Sequence, residues 1–296
     1  MKILAFDVGG TQIKYGIVED PLSISERGSF PTPTDSFDSF LVSIKNTYDL
    51  YKEEVEGIAM ALPGIVNTEK GTIKNCGAMR YRRVNDLGGI LEELCGCRVV
   101  LENDGKAAAL AEYRCGSIQD CQNAAVFLVG TGVGGGLIIN GRLVRGPHDT
   151  AGEFSFVNTG QDNGTILGNR CSTSFLLKTY KEKTGISEEI DGYEFFRRLP
   201  EDPYAKEALE ELSMNIALAL YNLYWLLDLE KVAIGGGISK QAVFIETVRK
   251  KFEEVVSASF TQRIRLKTEL EIVPCTFHND ANLIGSFITY ASHKGV

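Results

Sequence analysis

Residues 3–18 read Ile3-Leu4-Ala5-Phe6-Asp7-Val8-Gly9-Gly10-Thr11-Gln12-Ile13-Lys14-Tyr15-Gly16-Ile17-Val18, two apolar, β-prone runs split by a glycine pair. Runs of this kind around a Gly-Gly step predict two strands joined by a tight hairpin. Glycine accepts positive φ and has no Cβ, so the turn can bring several backbone N–H groups up to a phosphate oxygen. Asp7 ends the first strand, where a carboxylate would hold Mg²⁺ through water beside those phosphates, and Thr11 adds a hydroxyl. The same residues also describe a hairpin with a buried aspartate and no ligand, because short glycine motifs discriminate poorly.

The pattern returns at Ala125-Val126-Phe127-Leu128-Val129-Gly130-Thr131-Gly132-Val133-Gly134-Gly135-Gly136-Leu137-Ile138-Ile139-Asn140. Two such hairpins, about half a chain apart, predict a duplicated fold. Val99 to Asp104 and Ile272 to Asp280 extend the parallel, each taking a strand into Asn-Asp and then a helix. Two halves built this way would face each other and clamp a nucleotide.

Bulk composition bounds the function classes. A chain of 296 residues with 44% hydrophobic content can fill two cores. Thirty-one basic against 39 acidic residues give a net charge of −8, with no lysine- or arginine-rich run, which argues against a nucleic-acid partner held by phosphate neutralisation. Neither a signal peptide nor a membrane span is expected. The seven cysteines are odd in number and scattered, so they read as reduced thiols in a cytoplasmic protein.

Outward from the first hairpin, Leu22 to Phe30 predicts a third strand ended by Pro31 and Pro33, and Phe37, Phe40, Leu41, Ile44 and Tyr48 recur at helical spacing. A strand over 55–62 stops at Pro63-Gly64, either a plain turn or the carboxyl-end position where open α/β sheets bind ligands. The polar stretch 75–83, with Gly77, Arg80, Arg82 and Arg83, is a loop over a site or simply a solvated one. A short helix over 87–94 and a strand over 98–101 lead to Glu102-Asn103-Asp104 and an alanine-rich helix.

Asp104 thus stands at a helix N-terminus, and two readings apply. As an N-cap it would only satisfy the first N–H groups. As a general base it would take the proton of a substrate hydroxyl attacking a γ-phosphorus, a task in which orientation counts for more than basicity. Asn103 both donates and accepts, which suits neighbouring hydroxyls. Farther on, Glu153 follows Gly152 and is a further candidate for hydroxyl recognition. His148 has no companion Cys or His at zinc spacing, and Cys95-Gly96-Cys97 is too isolated, so no zinc site is expected. Asp202-Pro203 opens a long apolar-faced helix carrying Tyr221, Tyr224 and Trp225 as core or interface aromatics. Gly235-Gly236-Gly237, between a strand and a helix, would let adenine and ribose lie on bare backbone. Gly285 in the last helix, from residue 279, would permit close packing on the first half.

Taken in order, Asp7 to Thr11, Pro63-Gly64, Glu102 to Asp104, Gly130 to Gly136, Ala151 to Glu153 and Gly235 to Ile238 resemble the motifs of the ROK family of bacterial sugar kinases and repressors. The likeness spans essentially the whole chain. It implies an α/β architecture, the duplicated ribonuclease-H-like fold of the hexokinase and actin superfamily, with two lobes and a central cleft. The small lobe is expected over 1–120 plus the helix 279–296, and the large lobe over 121–278. By the same resemblance, Asp104 is the base, and Pro63, Gly64, Gly77, Asn103 and Glu153 serve the sugar. Ala5, Phe6, Asp7, Val8, Gly9, Gly10, Thr11, Lys14, Thr131, Gly132 and Gly134 serve the phosphates of ATP and Mg²⁺, and Gly235, Gly236 and Gly237 the adenosine. A homodimer is implied too.

The departures narrow the expectation. Most ROK kinases carry a cysteine-rich zinc loop after the Gly-Glu motif, with a histidine three residues past the glutamate. This chain has Phe156 there, and only Cys171 between Gly160 and Ser174, so zinc is expected to be absent and the sugar's anomeric side more open. In this, in Cys76 to Arg80 and in Tyr221 to Asp228, the chain is similar to the β-glucoside kinase branch, which phosphorylates the 6-hydroxyl of the non-reducing glucose of cellobiose. Glucose, N-acetylmannosamine or fructose kinases, and a non-catalytic sugar-sensing regulator, are the alternatives. A repressor would carry an amino-terminal helix-turn-helix, and here the first hairpin begins at once.

Overall fold

The computed structural model describes residues 1–19, 22–74, 86–160 and 164–295. The stretch Cys76 to Arg80, with Gly77, lies outside them. Two compact units are formed, one from Met1–Ala111, Arg145–Ala151 and Asn279–Val296, the other from Glu112–Val144 and Gly152–His278.

In the first unit, β1 (Lys2–Val8), β2 (Gln12–Glu19) and β3 (Ser23–Pro31) form the antiparallel meander that the apolar, β-prone runs and the Gly9-Gly10 step predict. Helix α1 (Phe37–Tyr51) starts at Ser36, whose hydroxyl accepts the Ser39 N–H at 3.0 Å as an N-cap. β4 (Gly57–Leu62) then pairs parallel to β1, because a helical crossover returns the chain to the same end of the sheet. A small hairpin, β5 (Ile65–Asn67) and β6 (Thr72–Lys74), precedes α2 (Leu87–Cys95) and β7 (Arg98–Asn103), which pairs parallel to β4. The sheet order is β3-β2-β1-β4-β7. Leu4, Phe6, Ile58, Met60 and Leu101 are buried on it against Phe40, Ile44 and Leu91 of the helices.

Helix α3 (Asp104–Cys115) begins in the first unit and ends in the second, where the scheme repeats. β8 (Ala124–Val129), β9 (Val133–Ile139) and β10 (Arg142–Leu143) form a meander. The helical part is α4 (Leu167–Arg170), α5 (Thr173–Thr184), α6 (Gly192–Arg198) and the 25-residue α7 (Pro203–Leu227), capped by Asp202 as its Asp-Pro start predicts. β11 (Lys231–Gly235) pairs parallel to β8; α8 (Ala242–Ala258) and α9 (Phe260–Arg263) lead to β12 (Glu271–Pro274), parallel to β11. The order β10-β9-β8-β11-β12 reproduces the first sheet strand for strand, so the duplicated ribonuclease-H-like fold is present.

The chain then rejoins the first unit as α10 (Ala281–His293), two residues later than the periodicity places it, after a turn of 3₁₀ helix over His278–Asp280. Gly285 is buried, and a Cβ there would meet the Ala107 carbonyl oxygen of α3 at 1.8 Å. No helix among the described residues is long and apolar enough to cross a membrane.

The six described cysteines are free thiols. Burial pushes the Cys171 thiol up to about 12 and that of Cys275 upward as well. Native protein treated with iodoacetamide at about pH 8 should therefore leave both unmodified while denatured protein reacts at both, as read by peptide mass spectrometry. Equal labelling in the two states would contradict their placement.

Candidate active site

The first unit gathers its candidate residues at one edge of its sheet. β1, β4 and β7 run parallel, so Asp7, Ala61 and Glu102 stand in register, with Asn103 opposite Leu62 one step farther on. Carboxyl ends of parallel strands are where open α/β sheets hold ligands. Strands lie about 4.8 Å apart, so Asp7 and the Asn103-Asp104 step are separated by roughly 10 Å, two strand spacings.

Asp7 is largely buried, and burial raises its carboxyl above the ordinary value, while the Asn282 amide and the charge of cross-strand Lys14 work the other way. Asn282 Nδ2 donates to Asp7 Oδ1 at 2.8 Å. A single carboxylate with one oxygen already bonded suits Mg²⁺, which keeps several waters and takes its other ligands from substrate phosphates. Among the described residues no group of three or more His, Cys, Asp or Glu could hold a metal. Ala5, Phe6 and Val8 give their side chains to the core, which leaves only their backbone for any ligand.

The hairpin turn itself is tied down. The Gly9 N–H donates to Gln12 O at 3.0 Å, and a Cβ on Gly9 would come within 2.8 Å of that oxygen. Thr32, just past β3, donates its hydroxyl to Gly9 O at 2.7 Å and its N–H to Thr11 O at 2.9 Å. Gly10 and Thr11 remain exposed. Sequence reasoning overlooks Thr32 because its partner is 23 residues away and no local pattern marks it.

At the head of α3 the capping bond to the third helical residue belongs to Asn103. Asn103 Oδ1 accepts the Lys106 N–H at 3.0 Å, the hydrogen bond an N-cap makes to the third helical residue. Asn103 Nδ2 donates to Gly64 O at 2.9 Å and to Asp104 Oδ1 at 3.1 Å, and that oxygen also accepts the Gly105 N–H at 2.8 Å. Gly64, at φ 99°, needs glycine to turn its carbonyl this way. Gly64, Asn103 and Asp104 are therefore one hydrogen-bonded constellation, with Pro63 beside it in sequence. Gly77 lies outside the described residues.

In the second unit the turn Gly130-Thr131-Gly132 is closed by Gly130 N–H to Gly132 O at 2.9 Å. It is held by the start of α5: Thr173 N–H donates to Gly130 O at 2.8 Å and Ser174 Oγ to Thr131 O at 2.8 Å. Thr131 and Gly132 are exposed. Gly236, at φ 95°, packs on the end of β8, where a Cβ would lie 2.1 Å from Val129 O. This brings the triple glycine beside the Gly130 turn. Gly235 is also closed off, its Cβ position being 2.5 Å from Leu128 Cδ2, whereas around Gly237 there is open space.

The glycines of β9 have another use. A Cβ on Gly135 would strike the Phe154 ring at 2.4 Å, and Gly152, at φ 79°, lies against the Gly136 Cα; Gly134 meets Leu128 only at ordinary contact distance. Phe154 stacks on Phe127 with ring centroids 5.4 Å apart. Glu153 is thereby fixed between a buried glycine and a buried ring, half-exposed itself, ahead of a 3₁₀ turn over Phe154–Phe156. Phe156 is 62% exposed.

The sequence profile of the ROK family matches residues 3–292. This chain belongs to the ROK family. A β-glucoside kinase of Listeria monocytogenes is 34% identical over 293 residues, 97% of this chain and 96% of that protein. An N-acetyl-D-glucosamine kinase of Vibrio vulnificus is 29% identical over 265 residues, 83% of this chain and 87% of that protein. Among solved structures, a ROK family protein from Streptococcus pneumoniae in complex with sucrose superposes with a TM-score of 0.88 at 31% identity, covering 100% of this chain and 99% of that one. The ROK assignment and the expectation of a carbohydrate kinase agree with these relatives.

Proposed function

We propose that this chain transfers the γ-phosphoryl group of ATP to the 6-hydroxyl of a glucose-type sugar, with a β-glucoside such as cellobiose as its acceptor. The observation that carries the reading is the division of labour at the head of α3. Asn103 caps the helix, so the Asp104 carboxylate is not needed for that bond. Asn103 and Gly64 bind sugar hydroxyls alongside it, and Glu153 supplies a further carboxylate acceptor from its own unit. Asp104 accepts the hydroxyl proton as the oxygen attacks the phosphorus; phosphoryl transfer leaves little else for the protein to do than position and neutralise.

The N–H groups of Gly10, Thr11, Thr131 and Gly132, the exposed residues of the two turns, bind phosphate oxygens, and Lys14 adds charge. Gly237 is the triple-glycine member with room for the adenosine. Mg²⁺, held at Asp7 through water, would neutralise phosphate charge when bound.

The acceptor preference has separate support. The Listeria relative is a β-glucoside kinase. The streptococcal structure holds sucrose, whose glucose is α-linked, so it supports room for a second sugar and not the β anomer. Phe156 stands exposed where a zinc-loop kinase has histidine, in keeping with an open anomeric side.

ADP release measured across free sugars and β-glucosides tests both levels. Cellobiose and simple aryl β-glucosides should give a higher kcat/KM than glucose, with phosphate found on O6. Preference for glucose or an N-acetylated sugar would overturn the acceptor, and ADP release with no sugar at all would overturn the kinase reading.

A further inference from the structure

Glu102 has no part in the roles above, yet its carboxylate is wholly buried and accepts from four donors. Oε1 takes the Asn103 N–H at 3.0 Å and the Thr68 hydroxyl at 3.3 Å. Oε2 takes the Thr289 hydroxyl at 3.3 Å and forms an ion pair with Arg145 Nη2. These donors come from β7 itself, the turn after β5, α10, and the segment Arg145–Ala151. That segment packs with the first unit although the chain on both sides of it belongs to the second. Asn67 Nδ2 also holds it, donating to Asp149 Oδ2 at 2.8 Å.

Stability alone is a poor account of this arrangement. Burying the Glu102 charge costs desolvation that its attraction to the partly exposed Arg145 barely offsets, and an apolar side chain of similar volume would hold the core as well. Arg145 Nε, moreover, is buried with no hydrogen-bond partner among the described residues, a further cost. What the pair supplies is direction. Asn103 is gripped through its N–H by Glu102 and through its side chain by Gly64, and in that pose its amide meets Asp104 Oδ1.

The geometry assigns to Glu102 and Arg145 the positioning of Asn103 and Asp104, a role that rests on the kinase reading. Neither touches substrate. Arg145 fixes Glu102, and Glu102 fixes the peptide from which both site residues project. A displacement of 1 Å in such a group costs about 100-fold in rate.

The test uses the full chain with a sugar the wild type phosphorylates. Arg145→Ala should lower kcat/KM for the sugar about 100-fold with the KM for ATP unchanged. The Arg145 side chain is 31% exposed, so guanidinium ion added at millimolar concentration can reach the gap and should restore much of the loss. Glu102→Gln should fall in the same direction, and the double variant should be no worse than Arg145→Ala, because both break one link. Arg145→Lys keeps the charge but not the planar fork and serves if Arg145→Ala does not fold.

Near wild-type kcat/KM in Arg145→Ala would overturn the assignment. So would parallel changes in both KM values, or loss of activity only in proportion to loss of folded protein without guanidinium rescue. A wild-type chain that phosphorylates no sugar would instead end the kinase reading before any variant is compared.

Discussion

Asp104→Asn should lose between about 100-fold and 10,000-fold in kcat while still binding ATP, the range expected when a general base is removed. The substitution keeps the shape and keeps an oxygen to accept the Gly105 N–H, the bond Asp104 Oδ1 makes at 2.8 Å. It does not touch the helix cap, which belongs to Asn103. Loss of the charge weakens the bonds Asp104 Oδ1 accepts from Asn103 and Gly105, so stability should fall by about 1 kcal/mol, with the chain still folded. Turnover separates the two explanations for an aspartate at a helix start, because asparagine caps a helix about as well as aspartate. Were Asp104 only a cap, the variant would keep turnover; as a base it keeps the fold and loses turnover. Coupled ADP-release kinetics, calorimetric ATP titration and a melting curve on one preparation read all three, and kcat above a tenth of wild type would reject the base.

The elements were legible because their signals are local. The Gly9-Gly10 and Gly130-Thr131-Gly132 turns, the Asp202-Pro203 start and the alanine run after Asp104 each announce themselves within a few residues. The repeated hairpin was enough to expect two copies of one sheet, and both sheets do have the same strand order. Which of Asn103 and Asp104 caps α3 was not legible, since both residue types cap helices and only the backbone geometry chooses.

The supports of the site were hidden for a related reason. Thr32 on Gly9, Arg145 on Glu102 and Asn282 on Asp7 lie 23, 43 and 275 residues from their partners, beyond any periodicity. Glycine runs are ambiguous in their own way. Gly235, Gly236 and Gly135 are required by neighbouring atoms that leave no room for a Cβ, and Gly237 and Gly132 are not. A sequence shows the missing Cβ but not whether protein or ligand fills its place.

Gly285→Ala should destabilise the first unit by about 3 kcal/mol, at the upper end of what overpacking a core usually costs. Local propensity points the other way, because alanine in a helix interior is favoured over glycine by about 1 kcal/mol. The contact decides. The new Cβ would lie 1.8 Å from the Ala107 carbonyl oxygen and 2.3 Å from its carbon, and both are backbone of α3. No side-chain rotation relieves that clash, so one helix must move.

Neither helix moves cheaply. α10 buries Leu283, Ile284, Phe287, Ile288 and Tyr290, and α3 follows directly from Asn103, whose side chain is bonded to Gly64. A melting curve should show a fall of roughly 6–12 °C, at about 2–4 °C per kcal/mol for a chain of this size class. Ser292→Ala, on the same helix and losing only the hydroxyl bond to Ile288 O, is the control and should change stability little. Because Ala107 lies three residues past Asp104, the displaced α3 should also lower kcat at temperatures where Gly285→Ala is still folded. An unchanged melting temperature, or the slight rise that propensity alone predicts, would show that α10 and α3 are not in backbone contact at Gly285.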